Sequence, residues 1–122
     1  MNLTEQVERT AFHDAALTCM QMKGDHVHFN FENIIIDVDS EDYYSAVLEL
    51  DGVLDVTRDG QTINMLDHRG DNMNVINLER SGHIAELVVS HRYYNTNKDE
   101  THVYKFTFGR FDLRCEKQTG FL

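Results

Sequence analysis

The sequence predicts a mainly β protein: an antiparallel meander forming a curved sheet, a half-barrel or a small sandwich. Apolar residues recur at every second position along most of the chain, the period of a strand with one buried face. Glycine- and asparagine-containing turn sequences separate these runs at short intervals. The length of 122 residues fits one domain, 1–122, and is enough to bury a core without disulfides or a metal.

The elements follow in chain order. Residues 4–12 are expected to form a short N-terminal helix with Thr4 as its N-cap. His13 and Asp14 then mark the entry to the first strand, their side chains making turn hydrogen bonds, and the apolar run Leu17-Thr18-Cys19-Met20 continues it. Val27, Phe29 and Phe31 alternate with His26, His28, Asn30 and Glu32, but the apolar parity flips before Ile34. A bulge or turn at Glu32-Asn33 accounts for that flip. Tyr44, Ala46, Leu48 and Leu50 form the next apolar face. The stretch Ile84 to Arg92 is apolar on both parities and reads as a central strand. Tyr104, Phe106 and Phe108, then Phe111, Leu113 and Cys115, complete the set. The expected turns are Lys23-Gly24-Asp25, Asp51-Gly52, Asp59-Gly60, Arg69-Gly70-Asp71, Ser81-Gly82 and Asn95-Thr96-Asn97. Proline is absent, and no change in composition marks a linker.

Charge narrows the range of partners. Twenty-one acidic residues stand against 11 basic ones, a formal net charge of -10. Such a chain repels phosphate backbones and anionic bilayers, so neither nucleic acid nor membrane is expected as a direct partner. A basic protein is favoured, although net charge also serves solubility alone. The N-terminus lacks the basic start and apolar run of a signal peptide, and no apolar stretch approaches the roughly 18 residues of a membrane helix. The expected location is the cytoplasm. Cys19 and Cys115 show no metal or redox spacing and read as core thiols, unless their strands are neighbours and the two are bridged.

The sequence carries few motifs of catalytic chemistry. There is no G-x-S-x-G elbow and no phosphate-cradling glycine loop. The acidic run from Asp37 to Asp42 fails as an EF-hand, because its sixth and twelfth positions are Asp42 and Leu48 in place of Gly and Glu. No enzyme activity and no cofactor are expected. Among seven histidines, His26 and His28 form an H-x-H pair whose imidazoles share a strand face, a spacing that holds a metal only when further ligands converge. His13-Asp14 reads as a turn pair, His68, His83 and His102 as solvated residues near strand ends, and His91 as a core-edge residue.

The charge is concentrated. Residues 37–59 hold eight acids against one base, whereas residues 60–122 are balanced. Asp37, Asp39, Glu41, Asp42, Tyr43, Glu49, Asp51 and Asp55 are the candidate partner-binding residues, with Tyr43, Glu49 and Asp51 on the face opposite the apolar set. Crowded carboxylates repel one another, and a cationic partner relieves that repulsion. Tyrosine adds contact area at low entropic cost. The competing reading is a charged edge strand protected against aggregation.

The stretch Phe12 to Phe31, Phe-His-Asp-Ala-Ala-Leu through Lys-Gly-Asp-His-Val-His-Phe-Asn-Phe, resembles small bacterial immunity proteins of contact-dependent growth inhibition and other polymorphic toxin systems. The resemblance implies a protein that binds a cognate toxin domain, often a basic nuclease, and covers its active site with an acidic surface. No functional residue is carried over from it. It implies a monomer or weak dimer without metal. Two other readings stand beside it: a small-molecule or metal-binding β-barrel using His13, His26 and His28, and an assembly subunit that oligomerises through an exposed edge strand.

Overall fold

The structure, a computed structural model, describes residues 12–35, 42–93 and 98–118. Apart from Phe12, the expected helix over 4–12 lies outside the described residues, as does the Asn95-Thr96-Asn97 turn. The described residues contain no helix, and thus none long and apolar enough to cross a membrane. They form β1 (Ala16–Lys23), β2 (His26–Ile34), β3 (Tyr44–Asp51), β4 (Asp55–Arg58), β5 (Gln61–Thr62), β6 (Asp67–Ser81), β7 (Ile84–Tyr93), β8 (Lys98–Thr107) and β9 (Arg110–Lys117). All nine strands belong to one sheet, in the order β5-β4-β8-β7-β6-β1-β2-β3-β9, and every pairing is antiparallel.

Two meanders, β1-β2-β3 and β6-β7-β8, lie side by side through the β1–β6 pairing. Each then sends its next strand to the far end of the other: β4 pairs with β8, and β9 pairs with β3. The two crossovers meet at Gly52 and Gly109. Gly109 N–H donates to the Asp51 carbonyl at 2.9 Å, and Leu54 N–H donates to the Thr107 carbonyl at 2.8 Å. A Cβ on Gly52 would stand 3.5 Å from the Gly109 nitrogen, and Gly52 has φ +63°, a backbone conformation that glycine tolerates best.

Phe29 on β2 and Phe106 on β8 are four strand positions apart in the sheet order. A flat sheet would separate them by about 19 Å at ~4.8 Å per step. Their ring centroids are 5.3 Å apart, edge to face. The sheet therefore curves over its apolar face, as the alternation predicts. That face buries Leu17 and Met20 of β1, Val27 and Phe31 of β2, Ala46, Leu48 and Leu50 of β3, and Ala85, Leu87 and Val89 of β7. Phe12 covers it from the N-terminal side, with its ring 4.8 Å from that of Phe31.

Local expectations hold at several joints. Phe31 pairs with Ala46 and Ile34 with Tyr44, so Glu32-Asn33 is a bulge, and Asn33 takes φ +60°. Asp59-Gly60 joins Arg58 to Gln61 with φ of +53° and +85°, the two positive angles that a tight right-twisted hairpin demands. Gly24 and Gly82 turn the β1–β2 and β6–β7 hairpins. β7 is interior, between β6 and β8.

Other expectations are corrected. Arg69-Gly70-Asp71 is no turn; it lies inside β6, where the register against β1 shifts between Leu17–Met73 and Cys19–Arg69. The glycine is spent on an irregularity within one long strand. β3 is no edge strand, because β2 and β9 flank it. Cys19 and Cys115 are not joined in a disulfide, and neither is fully buried: Cys115 packs against the core, while Cys19 lies half-buried with Sγ 3.5 Å from Gln21 Oε1. The bulge at Leu17–Cys19 turns Cys19 toward the face that carries Asn30, its partner on β2.

Candidate functional site

Alternation decides which side chains meet on the outer face of β2, β3 and β9. With Val27, Phe29 and Phe31 turned into the core, His26, His28 and Asn30 point outward. On β3 the burial of Ala46, Leu48 and Leu50 sends Val47, Glu49 and Asp51 outward. On β9 buried Leu113 leaves Asp112 and Arg114 on the outer side. The register then places His28 beside Glu49, Glu49 beside Asp112, and Asn30 and Arg114 on either side of Val47.

Side-chain contacts follow from this register. His26 Nδ1 is 2.6 Å from Asp51 Oδ1. His28 Nδ1 is 3.3 Å from Glu49 Oε1, and its Nε2 is 3.1 Å from Asn30 Oδ1. His26 Nε2 faces the same Glu49 oxygen at 3.9 Å. The other Glu49 oxygen accepts from Arg114 at 3.2 Å, and Arg114 also reaches Asp112 at 3.6 Å. One ligand-capable atom each from His26, His28 and Glu49 lies within 4.8 Å of the others, and all three residues are half-buried. An open hollow of about 430 Å³ is bordered by Thr18, Asn30, Ser45, Val47 and Arg114; Asn30 and Arg114 contact His28 and Glu49, which do not line it.

The sequence-predicted acidic set is only partly gathered. Glu49 and Asp51 share the outer face of β3 as expected, but both are engaged by imidazoles, and Glu49 also by Arg114. Asp42 pairs with Lys117 at 3.1 Å, and Tyr43 next to it is exposed. Asp55 is exposed on β4, beyond the crossover and beside Leu54, which is 83% exposed. Asp37, Asp39 and Glu41 lie outside the described residues.

The remaining histidines divide. His102, expected to be solvated, is instead half-buried, with Nδ1 2.7 Å from Asp59 Oδ2 and Nε2 3.3 Å from Glu100. The His102 hydrogen bond, then that of the Val103 N–H, holds the Asp59 carboxyl below the ordinary carboxylate range. His91 is buried, and its ring meets half-buried His68 edge to face at 5.8 Å. His83 is exposed. His13 is also exposed, its Nδ1 2.9 Å from the Ile76 carbonyl, and it takes no part in the His26–His28 cluster.

No family model, curated protein or solved structure matches this chain.

Sequence reading missed Glu49 and Asp51 as partners of the two histidines, and missed Asn30 and Arg114 altogether. A signal was present: H-x-H on one strand and E-x-D on the next, each at the two-residue spacing that puts both side chains on one face. Using it required the hairpin register, which depends on the Glu32-Asn33 bulge.

Proposed function

We propose that this protein is an immunity-type binder that neutralises a basic toxin domain, a nuclease in the reading that its charge favours, by covering the toxin's active site with an acidic surface. It acts by binding and not by catalysis, in the cytoplasm, as a monomer or weak dimer. The observation that carries the reading is the position of β3. Its carboxylates belong to the net -7 segment 37–59, yet the strand is interior, so they guard no open edge. Exposed Tyr43 at one end and exposed Leu54 and Asp55 past the other add the aromatic and apolar contact that interface centres favour. β3 spans about 25 Å at ~3.3 Å per residue, within the breadth of an interface that covers roughly 800 Å² per partner.

The test is a salt-dependent pull-down with the products of neighbouring genes, followed by titration of any basic domain retained. Asp42→Lys combined with Asp55→Lys is expected to weaken binding at least about 10-fold and to flatten its salt dependence. Retention of no basic partner, or equal affinity and salt slope for the variant, overturns the reading.

A further inference from the structure

We infer that His26, His28 and Glu49 form a binding site for a divalent transition metal of the zinc class, with Asp51, Asn30 and Arg114 as its supporting shell. A neutral imidazole has one N–H donor and one lone pair. His28 stands between two acceptors, Glu49 Oε1 at Nδ1 and Asn30 Oδ1 at Nε2. His26 has Asp51 Oδ1 within hydrogen-bond distance of Nδ1, and the same Glu49 Oε1 stands 3.9 Å from its Nε2, beyond hydrogen-bond length. Neither neutral ring can donate to both neighbours. If Nδ1–H of His26 is given to Asp51 and Nε2–H of His28 to Asn30, both remaining lone pairs converge on Glu49 Oε1. Three electron-rich atoms then face one another, an arrangement a cation resolves.

The geometry suits a small one. Bond lengths of ~2.0–2.2 Å to nitrogen and oxygen put tetrahedral ligand atoms roughly 3.4 Å apart. The separations here are 3.3 Å and 3.9 Å to Glu49, and all three atoms fall within 4.8 Å. Small rotations of half-exposed side chains close the difference. Each ligand already has the outer partner that metal-binding side chains use: a carboxylate on His26, an amide oxygen on His28 and a guanidinium on Glu49. Two imidazoles and one carboxylate select zinc-like ions over calcium or magnesium, which prefer oxygen alone. Three protein ligands leave a position for water, and the half-buried site is open to solvent on its outer side.

This site does not depend on the docking proposal, although Glu49 and Asp51 take part in both. It is tested without any partner. Zinc is titrated calorimetrically into the full chain after chelator dialysis, with native mass spectrometry for stoichiometry and imidazole proton shifts for location. The expected result is one zinc per chain, with the His26 and His28 resonances moving. Asp51→Asn, which leaves all three ligands in place, weakens binding about 10- to 100-fold. His26→Ala with His28→Ala abolishes it, and His83→Ala, at an exposed remote histidine, leaves it unchanged. Circular dichroism checks that each variant retains the wild-type strand signal. Absence of zinc binding by the wild type, equal binding by the double histidine variant, or equal affinity for magnesium overturns the inference.

Discussion

Asp59 shows how one side chain holds an exposed strand end. It takes a left-handed backbone conformation at a tight hairpin, accepts the Val103 N–H at 2.8 Å and accepts from His102 at 2.7 Å. Both bonds favour the ionised carboxylate, so its pKa is lower in the folded chain than in the unfolded one. A depressed carboxyl contributes stability that is fully present above its unfolded value, near 3.8, and is lost as pH falls through the lower folded value. Solvent reaches the pair, so the contribution is at most about 1 kcal/mol. Asp59→Asn should therefore lower stability by roughly 0.5–1 kcal/mol at pH 7. Urea titrations at neutral and strongly acidic pH check this: the gap between variant and wild type should close in acid, and a gap that persists there excludes the linkage. The turn at Asp59-Gly60 was legible in the sequence because its chemistry is local. The partnership with His102 was not, because it joins residues 43 positions apart through the β4–β8 pairing.

Among the elements, the β2–β3 hairpin was the most readable and β6 the least. Alternation marked Val27, Phe29 and Phe31, and Ala46, Leu48 and Leu50, as two buried faces, and the parity flip located the bulge, but the register between the two strands was not legible. Residues 67–81 carry no such clean pattern, because two register shifts interrupt them, one against β1 and one against β7 between Val75 and Asn77. A glycine within such a stretch looks like a turn when only its neighbours are known. The bulge residue Asn33 has φ +60°, and its N–H donates to Gln118 Oε1 at 3.0 Å. Asn33→Val forces a β-branched side chain into the left-handed region, at a cost of about 1–2 kcal/mol. Asn33→Gly should be close to neutral, since glycine accepts that φ. Thermal or urea denaturation of the two variants checks the pair, and equal losses for both would show that the backbone conformation is not what matters.

At the scale of the molecule, the alternation made the curved antiparallel sheet legible, but not the exchange of β4 and β9 between the meanders. Local hairpins follow from turn chemistry, whereas β3–β9 and β4–β8 join segments that are far apart in sequence, with no turn between them to announce the pairing. The exchange gives the chain the topology of two interlocked units, β1–β5 and β6–β9, joined end to end. A break between residues 64 and 65, in the strand-free stretch before β6, would separate β1–β5 from β6–β9. Each piece would keep a meander whose apolar face is uncovered, while β4 would lose β8 and β9 would lose β3. Neither should hold native structure alone, whereas an equimolar mixture should regain the strand signal and a cooperative melt. A piece that folds by itself would show that the exchange is dispensable. Reassembly from the mixture would mean that covalent continuity between the halves adds effective concentration and nothing more.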